Sequence, residues 1–267
     1  MITPRQQSLA RQLLDEAGGD INKAIQLLKT SQLPRSGKKY KPKNSEVIAR
    51  IENISKTYKV GKSPVAALKN VSLDIYKGEF VAITGTSGSG KSTLLQLIGG
   101  LDKPNQGTVS ISGQNLAKLS DAKLSKFRNR TIGFIFQFFY LQPFLNLQTN
   151  IEVPAMFART KRAERSTRSE KLAMSVGLSD RIKHLPRELS GGQMQRAAIA
   201  RALQNNPSIL LADEPTGNLD RVNALAIFKL FRQICDKQGT TIVVVTHDLS
   251  LATAADRIVN MSDGVIQ

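Results

Sequence analysis

Residues 80–92 read Phe-Val-Ala-Ile-Thr-Gly-Thr-Ser-Gly-Ser-Gly-Lys-Ser. The first five form a short apolar run, the pattern of a buried strand. Gly85, Thr86, Ser87, Gly88, Ser89, Gly90, Lys91 and Ser92 then fit G-x-x-x-x-G-K-[ST]. Residues 92–98 read as a helix opening directly from that loop. Strand, loop and helix in this order are the context in which the pattern cradles phosphate. The glycines let backbone N–H groups turn inward, and the helix N-terminus adds partial positive charge. Lys91 can then reach the β- and γ-phosphates, while Ser92 can ligate Mg²⁺ and Thr93 joins the nucleotide contacts.

Outward from the loop, strands alternate with helices. Strands are expected at VIARIENI, VSLDIY, 108–112, 132–136, 209–212 and 241–246, with two short ones around Asp263-Gly264. Residues 150–205 and 222–237 carry helical patterns. The alternation predicts an α/β core with a largely parallel sheet.

Ile209-Leu-Leu-Ala-Asp213-Glu214 is an apolar strand ending in two carboxylates about 120 residues after the loop. Alone, such a run reads as a strand end; after a phosphate loop it resembles the Walker B element of nucleotide hydrolases. That resemblance implies that Asp213 would hold Mg²⁺ and Glu214 would orient and activate the attacking water.

With 267 residues, the chain can form one large domain or two small ones. It is 40% hydrophobic and 22% charged, which argues against wholesale disorder. Cys235 is the single cysteine, so an intrachain disulfide framework is excluded. No apolar run approaches 18 residues, and the first residues lack the apolar core of a secretory signal, so a membrane span is expected on another chain.

Leu189-Ser190-Gly191-Gly192-Gln193 is identical to the signature of ATP-binding cassette (ABC) ATPases, and Gln195-Arg196 continues it. The chain from 46 to 267 resembles that family, with its other motifs in family order. Gln137 matches the glutamine that contacts Mg²⁺ and the lytic water. Gly217-Asn218-Leu219-Asp220 matches the segment that puts Asp220 at a dimer interface. His247, in Thr246-His247-Asp248, matches the histidine that hydrogen-bonds the γ-phosphate. Tyr58 matches the aromatic residue that stacks on adenine. His184 has no motif around it and reads as a surface residue.

The resemblance implies a P-loop NTPase core with an antiparallel β subdomain and a helical signature subdomain. It implies ATP hydrolysis with Glu214, His247, Gln137 and Lys91 as the catalytic group. Ser190, Gly191, Gly192, Gln193 and Asp220 would act on ATP bound to the opposite subunit. One set of motifs therefore implies a head-to-tail homodimer in the ATP-bound state. It also implies a separate integral membrane permease and a cytoplasmic position on the inner face of the membrane.

Pro215-Thr216-Gly217-Asn218-Leu219-Asp220 and Phe134-Ile-Phe-Gln-Phe-Phe-Tyr-Leu-Gln-Pro-Phe144 resemble the lipoprotein-release, macrolide-export and cell-division branch. A cell-division-type ATPase signalling to wall enzymes stands as the alternative to a transporter subunit. Phe134 and Phe136 read as strand core. Phe138, Phe139 and Tyr140 have two readings, contact with a membrane partner or packing under the helical subdomain.

The formal net charge is +17. Residues 1–50 carry a net +6, 103–130 a net +5 and 159–187 a net +6. An anionic membrane surface and a plain solvated face both fit. Nucleic acid is not expected, because the cassette has no long coiled-coil insertion or heptad run. Residues 1–45 read as a basic extension. It carries a helical hairpin over 9–28 and a linker over 36–44, and loosely resembles part of a ubiquitin-associated-type module. A basic tail is the other reading.

Overall fold

The computed structural model describes residues 42, 44–61 and 63–267. The hairpin expected over 9–28 lies outside the described residues. Among those described, no helix is long and apolar enough to cross a membrane.

A six-stranded sheet has the order β10-β9-β3-β8-β7-β6. Its strands are β3 (Phe80–Thr84), β6 (Ile132–Ile135), β7 (Ile209–Asp213), β8 (Thr241–Val245), β9 (Arg257–Ser262) and β10 (Val265–Ile266). Every neighbouring pair is parallel except β9–β10. The core strands β3 and β8 are buried at every position. This is why their sequences run apolar without alternating. Successive residues still face opposite layers. Val243 and Val245 join one hydrophobic cluster, Ile242 and Val244 the other.

Helix α1 (Lys91–Ile98) packs into the first cluster, burying Leu94, Leu95, Leu97 and Ile98. The second cluster takes α6 (Arg221–Gln238), whose Ala224, Ile227, Phe228, Phe231 and Ile234 form a stripe at helical spacing. Asp220 caps the start of α6, and Gly239 at φ 67° ends it. Three further helices, α3 (Leu147–Phe157), α4 (Arg162–Ser175) and α5 (Gly191–Leu203), pack against one another as the helical subdomain.

A second, antiparallel sheet has the order β2-β1-β4-β5. Strands β1 (Val47–Val60) and β2 (Ser63–Tyr76) extend well beyond the stretches that sequence pattern marks, because bulges shift their register. Strand β4 (Gln106–Ile111) starts and ends earlier than expected, since Ser112 turns at φ 49°, and β5 is Gln114–Asn115. Strand β6 stops at Ile135, so Phe136 stands outside it. Phe134 lies in β6 and packs against the first cluster as expected, whereas Phe136, half-buried beyond the strand end, stacks on it at 5.8 Å between ring centroids.

Helix α2 (Asp121–Thr131) has no sequence signal. Only Leu124 is buried, so DAKLSKFRNRT carries no apolar stripe. A single turn, α7 (Leu249–Ala252), completes the set. Gly85, Gln137, Glu214 and His247 all follow the carboxyl ends of parallel strands. That is the edge where open α/β sheets bind ligands.

Candidate functional site

Gly90 sits at φ 96° where the phosphate-type loop enters α1. A Cβ there would lie 2.4 Å from the Ala67 carbonyl oxygen, so glycine is required twice over, by conformation and by space. Lys91, 7% exposed, donates from Nζ to Gly85 O at 2.9 Å and Thr86 O at 2.7 Å. The Ser89 hydroxyl is buried with no hydrogen-bond partner. An orphaned hydroxyl and a lysine folded back on its own loop mark a cradle whose polar groups suit a polyanion.

Ser92 Oγ donates to Asp213 Oδ1 at 2.9 Å, joining the first turn of α1 to the end of β7. Burial raises the Asp213 carboxyl above its ordinary range, and the Ser92 hydrogen bond and Lys91 charge only partly oppose this. Two hard oxygen donors beside a phosphate cradle fit Mg²⁺, which takes few protein ligands and fills its shell with phosphate and water.

Glu214 adopts φ 45°, the left-handed region that favours glycine. Its N–H is held by Val245 O at 3.0 Å, and its carbonyl accepts from Gly217 N at 3.1 Å. Strand β7 thus ends abruptly, and the Glu214 carboxylate leaves the strand line. Glu214 Oε2 stands 2.9 Å from His247 Nδ1. The histidine side chain is exposed and the glutamate mostly buried.

A cleft of about 470 Å³ gathers these groups. It is lined by Ser87, Gly88, Gly90, Lys91, Ser92, Thr93, Gln137, Glu214, Gly217 and His247, with Val65, Ala66 and Ala67 of β2. Sequence reading marks Gly217 only as part of the Gly217–Asp220 segment, not as a cleft residue, and does not mark Val65, Ala66 or Ala67. Gly217 carried its own signal within the Gly-Asn-Leu-Asp segment, whereas Val65–Ala67 had none.

Tyr58 does not line the cleft but adjoins it. It pairs across the β1–β2 ladder with Val65, and its hydroxyl donates to Asp102 Oδ2 at 2.8 Å.

Ser190, Gly191, Gly192, Gln193 and Asp220 also lie outside the cleft of their own chain. Ser190 caps α5: its Oγ accepts from Gln193 N, and its own N–H donates to Gln193 Oε1 at 2.8 Å. Asp220 accepts from Asn223 N at 2.9 Å, and a Cβ on Gly192 would fall 2.4 Å from Asn223 Oδ1. Asn223 therefore ties the two motifs together at one surface. Its hydrogen bonds lower the Asp220 carboxyl below the usual range.

A larger groove of about 910 Å³ runs between β6, α2, α3 and α5. Leu101, Phe134, Phe136 and Phe157 give it apolar lining; Lys126, Arg128, Arg130, Arg159 and Arg201 give it charge. Phe138 and Tyr140 are 61% and 62% exposed, so they do not pack under the helical subdomain, whereas Phe139 is half-buried. Arg201 fixes this segment through the carbonyls of Phe139 and Tyr140. His184 is half-buried rather than a free surface residue, and its carbonyl accepts from Leu147 N at the start of α3.

The ABC transporter family profile matches residues 68–217. An uncharacterized ABC transporter ATP-binding protein, YknY of Bacillus subtilis, is 46% identical over 217 residues, 81% of this chain and 94% of the relative. The lipoprotein-releasing system ATP-binding protein LolD of a Shewanella species is 45% identical, covering 83% and 96%. Among solved structures, the dimeric ATP-binding cassette MJ0796 bound to ADP and Pi is 44% identical. It aligns over 82% of this chain and 96% of its own, with a TM-score of 0.76. Loop, sheet and signature, together with these relatives, make the chain a member of the ABC transporter ATP-binding family, an ABC-type ATPase.

Proposed function

We propose that residues 46–267 form a complete ATP-hydrolysing cassette that powers a separate integral membrane permease, with residues 1–45 as a dispensable basic extension. The observation that carries the reading is the cleft in which Lys91, Ser92, Gln137, Glu214 and His247 converge from four separate segments.

Lys91 and the loop N–H groups bind the phosphates of ATP, Tyr58 stacks on the base, and Ser92, Asp213 and Gln137 would hold Mg²⁺. When bound, the ion would offset the negative charge of the phosphates. Glu214 accepts a proton from the attacking water at its carboxylate. His247, with a hydrogen on each ring nitrogen, donates from Nδ1 to the glutamate carboxylate and from Nε2 to the γ-phosphate.

Because Ser190 to Gln193 and Asp220 lie outside the cleft of their own chain, they serve the cleft of a second copy in a head-to-tail homodimer. The dimeric cassette among the similar structures supports this arrangement. The permease docks at the Phe134–Tyr140 segment and the 910 Å³ groove, which offer aromatic anchors. The chain then sits on the cytoplasmic face of the membrane, its basic surface towards anionic headgroups. The LolD relative favours the lipoprotein-release branch over wall signalling. Copurification of the full chain from solubilised membranes tests the partner: a permease should accompany it, and recovery without any membrane protein would refute the docking.

A further inference from the structure

A stacking surface for a base is useful only if it is ordered before the base arrives, because ordering a free side chain on binding lowers affinity. Tyr58 is ordered at its hydroxyl. The phenol donates to Asp102 Oδ2 at 2.8 Å. The other Asp102 oxygen accepts from Lys56 Nζ and from Lys103 N, both at 2.7 Å. The Lys56 ammonium is almost fully buried, also donates to Lys103 O at 2.7 Å, and lies 5.0 Å from the Tyr58 ring centroid. Lys56 thus takes one ring face.

The position suits a base. Tyr58 stands opposite Val65 in an antiparallel ladder, so their side chains share a face, and Val65 lines the cleft.

We propose that Asp102 is a positioning residue: held by Lys56, it fixes the Tyr58 ring as a preformed stacking surface for the nucleotide base. The proposal rests on the reading of Tyr58 as the base platform. Protonation does not disturb the clamp near neutrality. Burial and the Asp102 contact keep the phenol above its ordinary range. Burial works against Asp102, but its bonds from Lys56 and Tyr58 outweigh that and hold the carboxyl below the usual range.

The test uses the full chain with ATP and with inorganic tripolyphosphate, which has no base. Tyr58→Phe keeps the ring and removes only the hydroxyl. It should raise KM for ATP roughly threefold to tenfold with kcat unchanged. Asp102→Ala should do the same, and the double variant should be no worse than either. Inhibition by tripolyphosphate should stay at its original strength in all three. Equal weakening of tripolyphosphate would overturn the proposal in favour of a general structural role. If Tyr58→Ala weakens ATP but Tyr58→Phe and Asp102→Ala do not, the clamp falls and the platform stands. If even Tyr58→Ala leaves ATP affinity intact, both fall.

Discussion

Glu214 Oε2 and His247 Nδ1 meet at 2.9 Å just beyond the ends of the adjacent strands β7 and β8. The backbone sets this meeting up, since the Glu214 N–H is bonded to Val245 O, two residues before the histidine. Glu214→Gln should keep ATP binding and reduce turnover by about 10²–10⁴-fold. His247→Ala should also be slow, and the double variant should be little slower than Glu214→Gln alone. Steady-state phosphate release checks all three; rapid turnover by Glu214→Gln would refute its role as base.

Two inactive chains should complement one another. Lys91→Ala spoils the phosphate loop, and Ser190→Arg spoils the signature. In a head-to-tail dimer of the two, one cleft combines an intact loop with an intact signature. Mixing them should restore hydrolysis that neither shows alone. No recovery at any ratio would argue for a site completed within one chain.

Asp213 gives a prediction of opposite sign for stability and binding. Its carboxyl is raised in the folded chain, chiefly by burial. The folded state therefore holds this proton more tightly than the unfolded one, and stability falls as pH rises from the unfolded through the folded pKa. Asp213→Asn should raise the Tm of the nucleotide-free chain by roughly 2–4 °C at pH 7. The gain should shrink in acid, below the ordinary carboxylate range. Mg²⁺-dependent ATP binding should be lost. Thermal scans at several pH values, with and without MgATP, separate the two effects.

Removing residues 1–45 should leave basal ATP hydrolysis nearly intact, because every group lining the cleft lies at Val65 or beyond. Loss of nucleotide binding on truncation would move the domain boundary.

The exposed Phe157 on the rim of the basic groove supplies the last test. Phe157→Asp should leave hydrolysis by the isolated chain unchanged while reducing recovery of the membrane partner. Unchanged recovery would place the docking surface elsewhere.

Much of this was legible in the sequence for physical reasons. Strands β3, β7 and β8 are buried on both faces, so they appear as unbroken apolar runs. The loop residues are restricted by backbone geometry and phosphate chemistry, so they appear as a spaced pattern. Helix α2 was not legible, because a helix with one buried leucine has no periodicity to show. The Asp102–Tyr58 contact spans 44 residues, and no local pattern announces it. The course of β1 and β2 depended on bulges, which shift register without a fixed residue signature.

Lys91, finally, has its ammonium satisfied within its own loop, by the carbonyls of Gly85 and Thr86. If the same ammonium binds phosphate, those oxygens compete with the phosphate oxygens for it. The net free energy is then a difference between two charge-assisted sets of hydrogen bonds, smaller than the capture of a bare cation would give. A loop that carries its own substitute for the phosphate can let go of it, as an enzyme that must turn over repeatedly requires.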